Sequence, residues 1–359
     1  MPEDTLPPVG PGDAPAAVTP PGPALAPTLE DVAARAGVSR STASRAINGG
    51  LKVSPDAQAA VDAAVVALRY TPNRAARSLV TRRTDAVALV VPEPDQLVLT
   101  DPYFAATVQG LSAALEPTDI QLVLLIARRG GDDGRTTRYL RNRNVDGAVV
   151  VSHHRDDAIV PLLADAGLPC VFVGRPFGAA DGLTFVDVDN RDGGRRATEH
   201  LLAAGCRRIG TVAGPADMAA GLDRLEGWKD ALRAAGLPPV AAEHGDFTAA
   251  GGAEATERLL REHPDLDGLF VASDLMATGA LRVLQRRGRA VPEDVRLVGF
   301  DDLGVAESAE PALTTVASPV VRMSQVAGEL LLCRIGALPR HREPQERLFG
   351  TRLVVRESA

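Results

Sequence analysis

Cysteine is scarce in this chain. Only Cys170, Cys206 and Cys333 occur in 359 residues, far apart and odd in number, which fits neither a disulfide framework nor the close ligand spacing of a zinc site. Buried free thiols are the reading that remains. Long apolar runs are lacking too: none approaches the ~20 residues that cross a bilayer, so no membrane partner is expected. The first 27 residues hold nine of the 27 prolines and no Lys or Arg. They therefore lack the charged start and apolar middle of a secretory signal, read as a disordered Pro-rich tail, and leave a cytoplasmic location as the expectation. Also missing are a Gly-x-Ser-x-Gly elbow, a Gly-x-x-x-x-Gly-Lys phosphate loop and a His-Glu-x-x-His helix. Without a carrier for catalysis, no enzyme and no cofactor are implied. The adjacent His153 and His154 point apart on either a helix or a strand and make a poor metal pair, so no metal site is expected and both read as surface residues. The cluster Gly130-Gly-Asp-Asp-Gly134 reads as a turn between a strand and a helix.

What is present is a chain long enough for two or three folding units, 45% hydrophobic and 24% charged. Its formal net charge of −7 argues against a nonspecific nucleic-acid coat, but the charge is uneven. From Thr28 to Thr84 there are nine Arg or Lys against four Asp or Glu, a net of +5, which leaves 30 against 42, or −12, for the rest. A small basic head on an acidic body is the electrostatic footprint of a local DNA contact.

Thr28 can cap a helix whose first turn carries acids, and Leu29, Val32, Ala33 and Ala36 recur at helical spacing. Gly37 can take the left-handed turn, and Ser39 can cap a second helix that sends Ala43, Ala46 and Ile47 inward. That helix exposes Arg40, Ser41, Thr42 and Arg45 near its start, where a helix-turn-helix reader contacts base edges. A third helix is signalled by Ser54 as cap and Pro55 at its first position, running through Val61, Val65 and Leu68 to a stop before Pro72. Asn73 can cap a further stretch ending at Leu79, but so short a helix needs help to form.

The runs TLEDVAARAGVSRSTASRAING and VSPDAQAAVDAAVVALRYTPNRAARSL resemble the headpiece of the lactose/galactose repressor family. The resemblance implies that Arg40, Ser41 and Arg45 read bases, while Thr28, Ser39, Thr42, Ser44 and Asn48 hold phosphates or fix the register. It makes 28–72 the headpiece and 73–84 a hinge helix and linker, with Asn73, Arg77 and Leu79 at the DNA and Leu79 wedged in the minor groove. Ala43, where relatives often carry valine, bears on packing rather than readout.

Beyond Thr84 apolar runs alternate with amphipathic stretches. Strands are expected at Ala86 to Val91, Ile120 to Ile126, Gly147 to Val151, Pro169 to Val173, Phe185 to Val188, Ile209 to Ala213, Leu269 to Ala272 and Val295 to Phe300. Helices are expected at about Arg224 to Ala235, Ala249 to Glu262 and Asp274 to Arg287. Repeated βαβ units imply parallel sheets with helices on both faces, and two such sheets suggest two lobes with a ligand at the strand ends between them. Asp189 and Asn190, Ser273 and Asp274, and Asp301 and Asp302 follow three of these strands. Such carboxylates, amides and hydroxyls suit sugar hydroxyls.

The runs AGPADMAAGLDRLEGW, FVASDLMATGALRVL and LVGFDDLGVAESAEPALTTV resemble the effector core of the same family, which implies an α/β periplasmic-binding-protein-like (type I) core of two parallel-sheet lobes behind the all-α headpiece. On that resemblance the core is 85–359, with lobes of about 85–204 plus 317–339 and about 205–316 plus 340–359. Arg224, Ser273 and Asp301 fall among the ligand contacts, Phe247 on an aromatic platform, and Asp101, Tyr103 and Phe104 on the opposite wall. Ser318 stands where many relatives carry glutamine, so the pocket floor differs from the usual pattern. The runs PNRAARSLVTRRTDAVALVV and VDVDN, with the first of the core runs, are similar to the cellobiose-responsive repressors of cellulose-degrading actinomycetes. A homodimer on a palindromic double-stranded operator, released by a cello-oligosaccharide, is the implied mechanism, with a different sugar or a corepressor-type ligand as the alternatives within the class. No leucine heptads follow TRLVVRESA, so no tail-mediated tetramer is expected. A secreted sugar-binding protein, the remaining rival, shares the core but not the headpiece.

Overall fold

The computed structural model describes residues 27–47, 53–71, 83–127, 134–177, 183–343 and 347–359. The expected tail up to residue 26, Asn48, and the whole of the expected hinge from Asn73 to Leu79 lie outside them. The chain divides into two compact units between residues 81 and 82.

The first unit contains α1 (Leu29–Ala36), α2 (Arg40–Ile47) and α3 (Pro55–Leu68). Thr28 opens α1 with a reciprocal capping box: its hydroxyl accepts from the Asp31 amide at 3.3 Å, and the Asp31 carboxylate accepts from the Thr28 amide at 2.8 Å. Gly37 closes α1 in the left-handed conformation, φ 65°, which a side chain at that position would resist. The Ser39 hydroxyl then accepts from the Thr42 amide at 3.1 Å and starts α2. Val32, Ala33, Ala43, Ala46, Val61 and Ala64 form the buried centre, with Leu29, Ile47, Val65 and Leu68 packed around it. Its members are mostly small, so the three helices approach closely.

The second unit is two six-stranded sheets. The first has the order β11-β5-β4-β3-β1-β2, from β1 (Ala86–Val91), β2 (Gln121–Ile126), β3 (Gly147–Val151), β4 (Cys170–Val173), β5 (Phe185–Val188) and β11 (Leu348–Phe349). The second has the order β12-β10-β9-β8-β6-β7, from β6 (Ile209–Ala213), β7 (Ala242–His244), β8 (Gly268–Val271), β9 (Arg296–Asp301), β10 (Thr314–Ala317) and β12 (Arg352–Val354). Strand pairs are parallel except β10 with β12. The central strands are valine-rich and buried on both faces, as helix-covered parallel sheets require.

Intervening helices are α4 (Asp95–Thr100), α5 (Pro102–Leu115), α6 (Arg135–Arg141), α7 (Ile159–Asp165), α8 (Asn190–Ala203), α9 (Ala219–Ala234), α10 (Ala249–Glu262), α11 (Asp274–Arg286) and α12 (Val320–Arg334). The lobe boundaries differ from the expected ones. Ala197 and Leu201 of α8 pack with Phe300 and Val316 under the second sheet, so the chain crosses before α8 rather than near 204. It returns after β10, adds α12 and β11 to the first lobe, and crosses again to β12, which corrects the placement of 340–359 wholly in the second lobe. These short late strands carry too little periodicity to be read from sequence.

Candidate functional site

Two surfaces collect the chemistry, one in each unit. In the first unit, Arg40, Ser41 and Arg45 stand exposed on α2, with Thr42 and Ser44 half-buried beside them. The hydroxyls of Ser39 and Ser41 lie 2.9 Å apart, and those of Ser39 and Thr42 2.8 Å apart, at the start of this helix. Its first turn carries no acid to offset the positive end of the helix dipole, which lies beside this cluster of hydroxyls. Arg40 reaches Glu30 at 2.7 Å, with both side chains more than half exposed. An exposed pair of this kind holds weakly and releases its guanidinium to a stronger acceptor. Among the described residues, Arg45 is tethered to its own helix, Nε donating to the Ser41 carbonyl at 3.1 Å. Thr28 is exposed at the start of α1 but has its hydroxyl engaged in the cap.

In the second unit a cleft opens between the lobes at the carboxyl ends of the strands, where ligands of open α/β sheets gather. Asp101, Tyr103, Phe104, Arg224, Phe247, Ser273 and Asp301 all line it. Its centre is Arg224 of α9, which is buried. Its Nε donates to Asn190 Oδ1 at 2.8 Å, Nη1 to the Ala272 carbonyl at 2.5 Å and Nη2 to Asp301 Oδ1 at 3.3 Å. The guanidinium carbon lies 3.6 Å from the centroid of Phe300 and 5.9 Å from that of Phe247. Glycine makes this placement possible, because a Cβ at Gly194 of α8 would run into the Arg224 carbonyl and one at Gly227 into that of Arg191. Burial pushes the Asp301 carboxyl up to about 7, against the lowering effect of Arg224. Burial also raises Asp101, whose carboxylate caps α5 by accepting from the Tyr103 amide at 2.9 Å, and raises the Tyr103 phenol, to which the charges of Asp301 and Asp187 add. Ser152, Phe247 and Asp301 hold positive φ of 55°, 64° and 110°, strain that a rigid surround must sustain and that concentrates at binding sites.

Four expected contacts stand behind this cleft instead of lining it. Asp189 caps α8 by accepting from the Asp192 amide at 2.9 Å. Asn190 supports Arg224 and donates from Nδ2 to Asp187 Oδ1 at 3.0 Å. Asp274 accepts from the Thr315 hydroxyl at 2.6 Å and the Asp302 amide at 2.7 Å. The buried Ser318 hydroxyl meets Met323 Sδ at 3.8 Å. The strand-end positions are right, but the side chains of Asn190, Asp274 and Ser318 are buried within the lobes and Asp189 stands half-buried beside a separate opening.

The histidine pair is also corrected. Neither is a surface residue: His153 and His154 are 6% and 5% exposed. His153 lines the cleft, its ring edge-on to Phe172 at 5.3 Å. His154 Nε2 lies 3.0 Å from Glu93 Oε1, and Nδ1 lies 3.0 Å from Asp217 Oδ1 of the other lobe, within ion-pair distance though not aligned as a hydrogen bond. The Arg155 amide donates to the Asp217 carbonyl at 2.9 Å, and Arg175 Nη2 reaches both Asp223 oxygens at 2.7 and 2.9 Å. These contacts join the lobes along one side of the cleft. Sequence reasoning missed Glu93, Ser152, His153 and Arg175; their signal was a polar residue one or two positions beyond a valine-rich strand.

The two surfaces match known proteins along the chain. Residues 28–73 match the model of bacterial regulatory proteins, lacI family, and 198–359 match a periplasmic binding protein-like domain. Over 335 residues, 92% of this chain and 98% of the relative, the sequence is 48% identical to the HTH-type transcriptional regulator CelR of Thermobifida fusca. The chain belongs to the LacI family. A ribose operon repressor of Halalkalibacterium halodurans is 30% identical over 332 residues, covering 92% of this chain and 96% of that one. Among solved structures, a complex of the transcriptional regulator CelR with cellobiose superposes with a TM-score of 0.74 at 46% identity, covering 93% of this chain and all (100%) of that one. The Lac repressor dimer bound to operator and the anti-inducer ONPF superposes with a TM-score of 0.78 at 27% identity, covering 92% and 98%. As a LacI-family member the chain is a DNA-binding regulator and not an enzyme, and among its described residues no helix is long and apolar enough to cross a membrane.

Proposed function

We infer that this LacI-family regulator is a transcriptional repressor whose hold on a palindromic operator is released when a cello-oligosaccharide, cellobiose in the first place, enters the interlobe cleft. The observation that carries the reading is the 48% identity to CelR over nearly the full length of both chains, together with the cellobiose complex of a CelR that superposes on this fold. The cleft chemistry agrees: aromatic faces at Tyr103, Phe104 and Phe247 suit the C–H side of sugar rings, and Asp101, Ser273, Arg224 and Asp301 offer donors and acceptors for hydroxyls. Arg40, Ser41 and Arg45 are the base-reading residues, with Thr28, Ser39, Thr42, Ser44 and Asn48 setting register on the phosphates and Asn73, Arg77 and Leu79 acting at the minor groove. A homodimer acting in the cytoplasm completes the proposal, supported by the dimeric, operator-bound Lac repressor of the same fold and by the two-fold symmetry that a palindrome imposes.

Sugar and operator need only prefer different arrangements of the core, with a coupling of ~1–3 kcal/mol, which is typical of such switches. The test is fluorescence anisotropy of the full chain on a palindromic duplex from its own promoter region, at fixed salt, with cellobiose, cellotriose and unrelated sugars. Release by the cello-oligosaccharides alone is the expected result. Release only by another sugar overturns the effector, tighter binding with cellobiose overturns the sign of the response, and no specific binding overturns the repressor reading.

A further inference from the structure

At the end of β9 two consecutive residues other than glycine, Asp301 and Asp302, hold positive φ of 110° and 58°. Backbone of this kind persists where its surround fixes it. Side chains alternate along a strand, so a regular continuation of β9 would set Asp301 on the side of Gly299 and away from that of Phe300. The Gly299 side belongs to Asp274, whose Oδ1 a Cβ at Gly299 would strike. The ring of Phe300 carries the guanidinium of Arg224. Asp301 meets that guanidinium, at 3.3 Å, because the left-handed turn breaks the alternation.

The turn is held from several directions. The Ser318 amide donates to the Asp301 carbonyl at 3.2 Å, the Asp302 amide donates to Asp274 Oδ2 at 2.7 Å, and Arg356 Nη2 donates to Asp302 Oδ1 at 2.7 Å. Arg356 belongs to the segment that follows β12, and its own place is fixed without Asp302. Its amide donates to the hydroxyl of the buried Thr314 at 2.9 Å, its Nη1 donates to the Leu313 carbonyl at 3.0 Å, and the next amide, of Glu357, donates to the Ala312 carbonyl at 3.1 Å. A guanidinium anchored in this way is a fixed point against which Asp302 is held. Both side chains of the pair are half-buried, so solvent screens it less than the exposed pairs of the surface. Asp301 lines the cleft, while Asp302 and Arg356 stand behind its wall.

We propose that Arg356 is a positioning residue of the effector cleft: by fixing Asp302 it holds Asp301 in the left-handed turn that aims its carboxylate at Arg224. The proposal rests on the functional reading above, which sets the sugar against Asp301, and extends that site to a residue that touches no ligand. When the clamp is removed, the turn relaxes toward the regular strand, Asp301 swings to the side of Asp274, and the cleft loses the carboxylate that partners Arg224.

A double-mutant cycle separates this role from simple support of the fold. Arg356→Met removes the guanidinium and keeps an unbranched stem, Asp302→Ala removes its acceptor, and the double variant closes the cycle. Calorimetric titration of the full chain with cellobiose, cellotriose, lactose, maltose and ribose identifies the sugars that bind the wild type, and urea melts of each variant report folding. The proposal expects sugar binding to weaken at least about fivefold in each single variant and no further in the double, because both substitutions break one link. Arg356→Lys, which returns a cation to Asp302, should recover affinity to within about threefold of the wild type. Should Arg356→Met not fold, Asp302→Ala, which leaves the bonds of Arg356 to Leu313 and Thr314 in place, carries the same expectation. A lower urea midpoint with unchanged sugar affinity in the folded variants makes Arg356 a support of the fold alone and overturns the proposal. Losses that multiply in the double variant overturn the link through Asp302. Failure of the wild type to bind any sugar of the panel overturns the functional reading and this proposal with it.

Discussion

Replacing Arg224 by methionine tests the cleft at its centre. The substitution keeps an unbranched stem over Phe300 and deletes the donors that reach Asn190, Ala272 and Asp301. Removing one partner of a buried ion pair costs ~3–5 kcal/mol. Here the lower end applies, because Asp301 is already pushed up to about 7 and can take a proton when its partner goes. A loss of about 3 kcal/mol in core stability by urea melting is the expectation. A sugar hydroxyl bound to the guanidinium forfeits a charge-assisted hydrogen bond, ~1.5–3 kcal/mol, or about 10- to 150-fold in Kd. Calorimetry on Arg224→Met should show that loss, and operator binding should persist at sugar concentrations that release the wild type. A folded variant with wild-type sugar affinity and normal release would refute the reasoning, because it would remove Arg224 from the ligand contacts.

Three further outcomes follow from the same geometry. Arg45→Ala should weaken operator binding by ~1–3 kcal/mol through a lost guanine contact while leaving sugar affinity intact; an equal loss on nonspecific duplex, measured side by side, would reduce Arg45 to a phosphate contact. By the family resemblance, Leu79→Ala should lose operator affinity and keep effector affinity, and equal operator binding would sink the wedge. Asp274, pushed up to about 8 by burial and then by the neighbouring Asp301 charge, holds its proton in the folded state across the range where the unfolded chain, at 3.8, releases it. Its contribution to stability is therefore present below about pH 4 and lost as pH rises through about 8. Asp274→Asn should flatten that part of the stability profile, and melts that still fall equally from pH 4 to 8 would assign the decline to other groups.

Much of the fold was legible because its signals are local. A Thr cap with acids after it, Gly37 at a turn, and Pro55 behind Ser54 each act within one helix turn, and α1 to α3 formed where they pointed. Valine runs marked β1 and β3 to the residue because a strand buried on both faces leaves no polar position to blur its ends. The lobe crossings were misread because α8 shows nothing in sequence to say which sheet it covers; Ala197 and Leu201 suit either, and Gly194 and Gly227 decide it by letting α8 and α9 meet. Within the cleft, sequence identified strand-end positions but not side-chain directions. Asp274 and Asp301 follow adjacent strands of one sheet, yet only Asp301, at φ 110°, turns toward the cavity. His153 and His154 were misjudged for the converse reason: adjacency was read as exposure, whereas the turn after β3 buries one against Phe172 and the other between Glu93 and Asp217.

The central claim is that one molecule couples operator and sugar through a shared equilibrium, and linkage makes that coupling reciprocal. The measurement that tests it most directly is the cellobiose Kd of the full chain, free and saturated with operator duplex, in the same buffer. The account predicts weaker sugar binding on the operator complex, by the same factor by which saturating cellobiose weakens operator binding. Equal affinity for cellobiose in both states would contradict it.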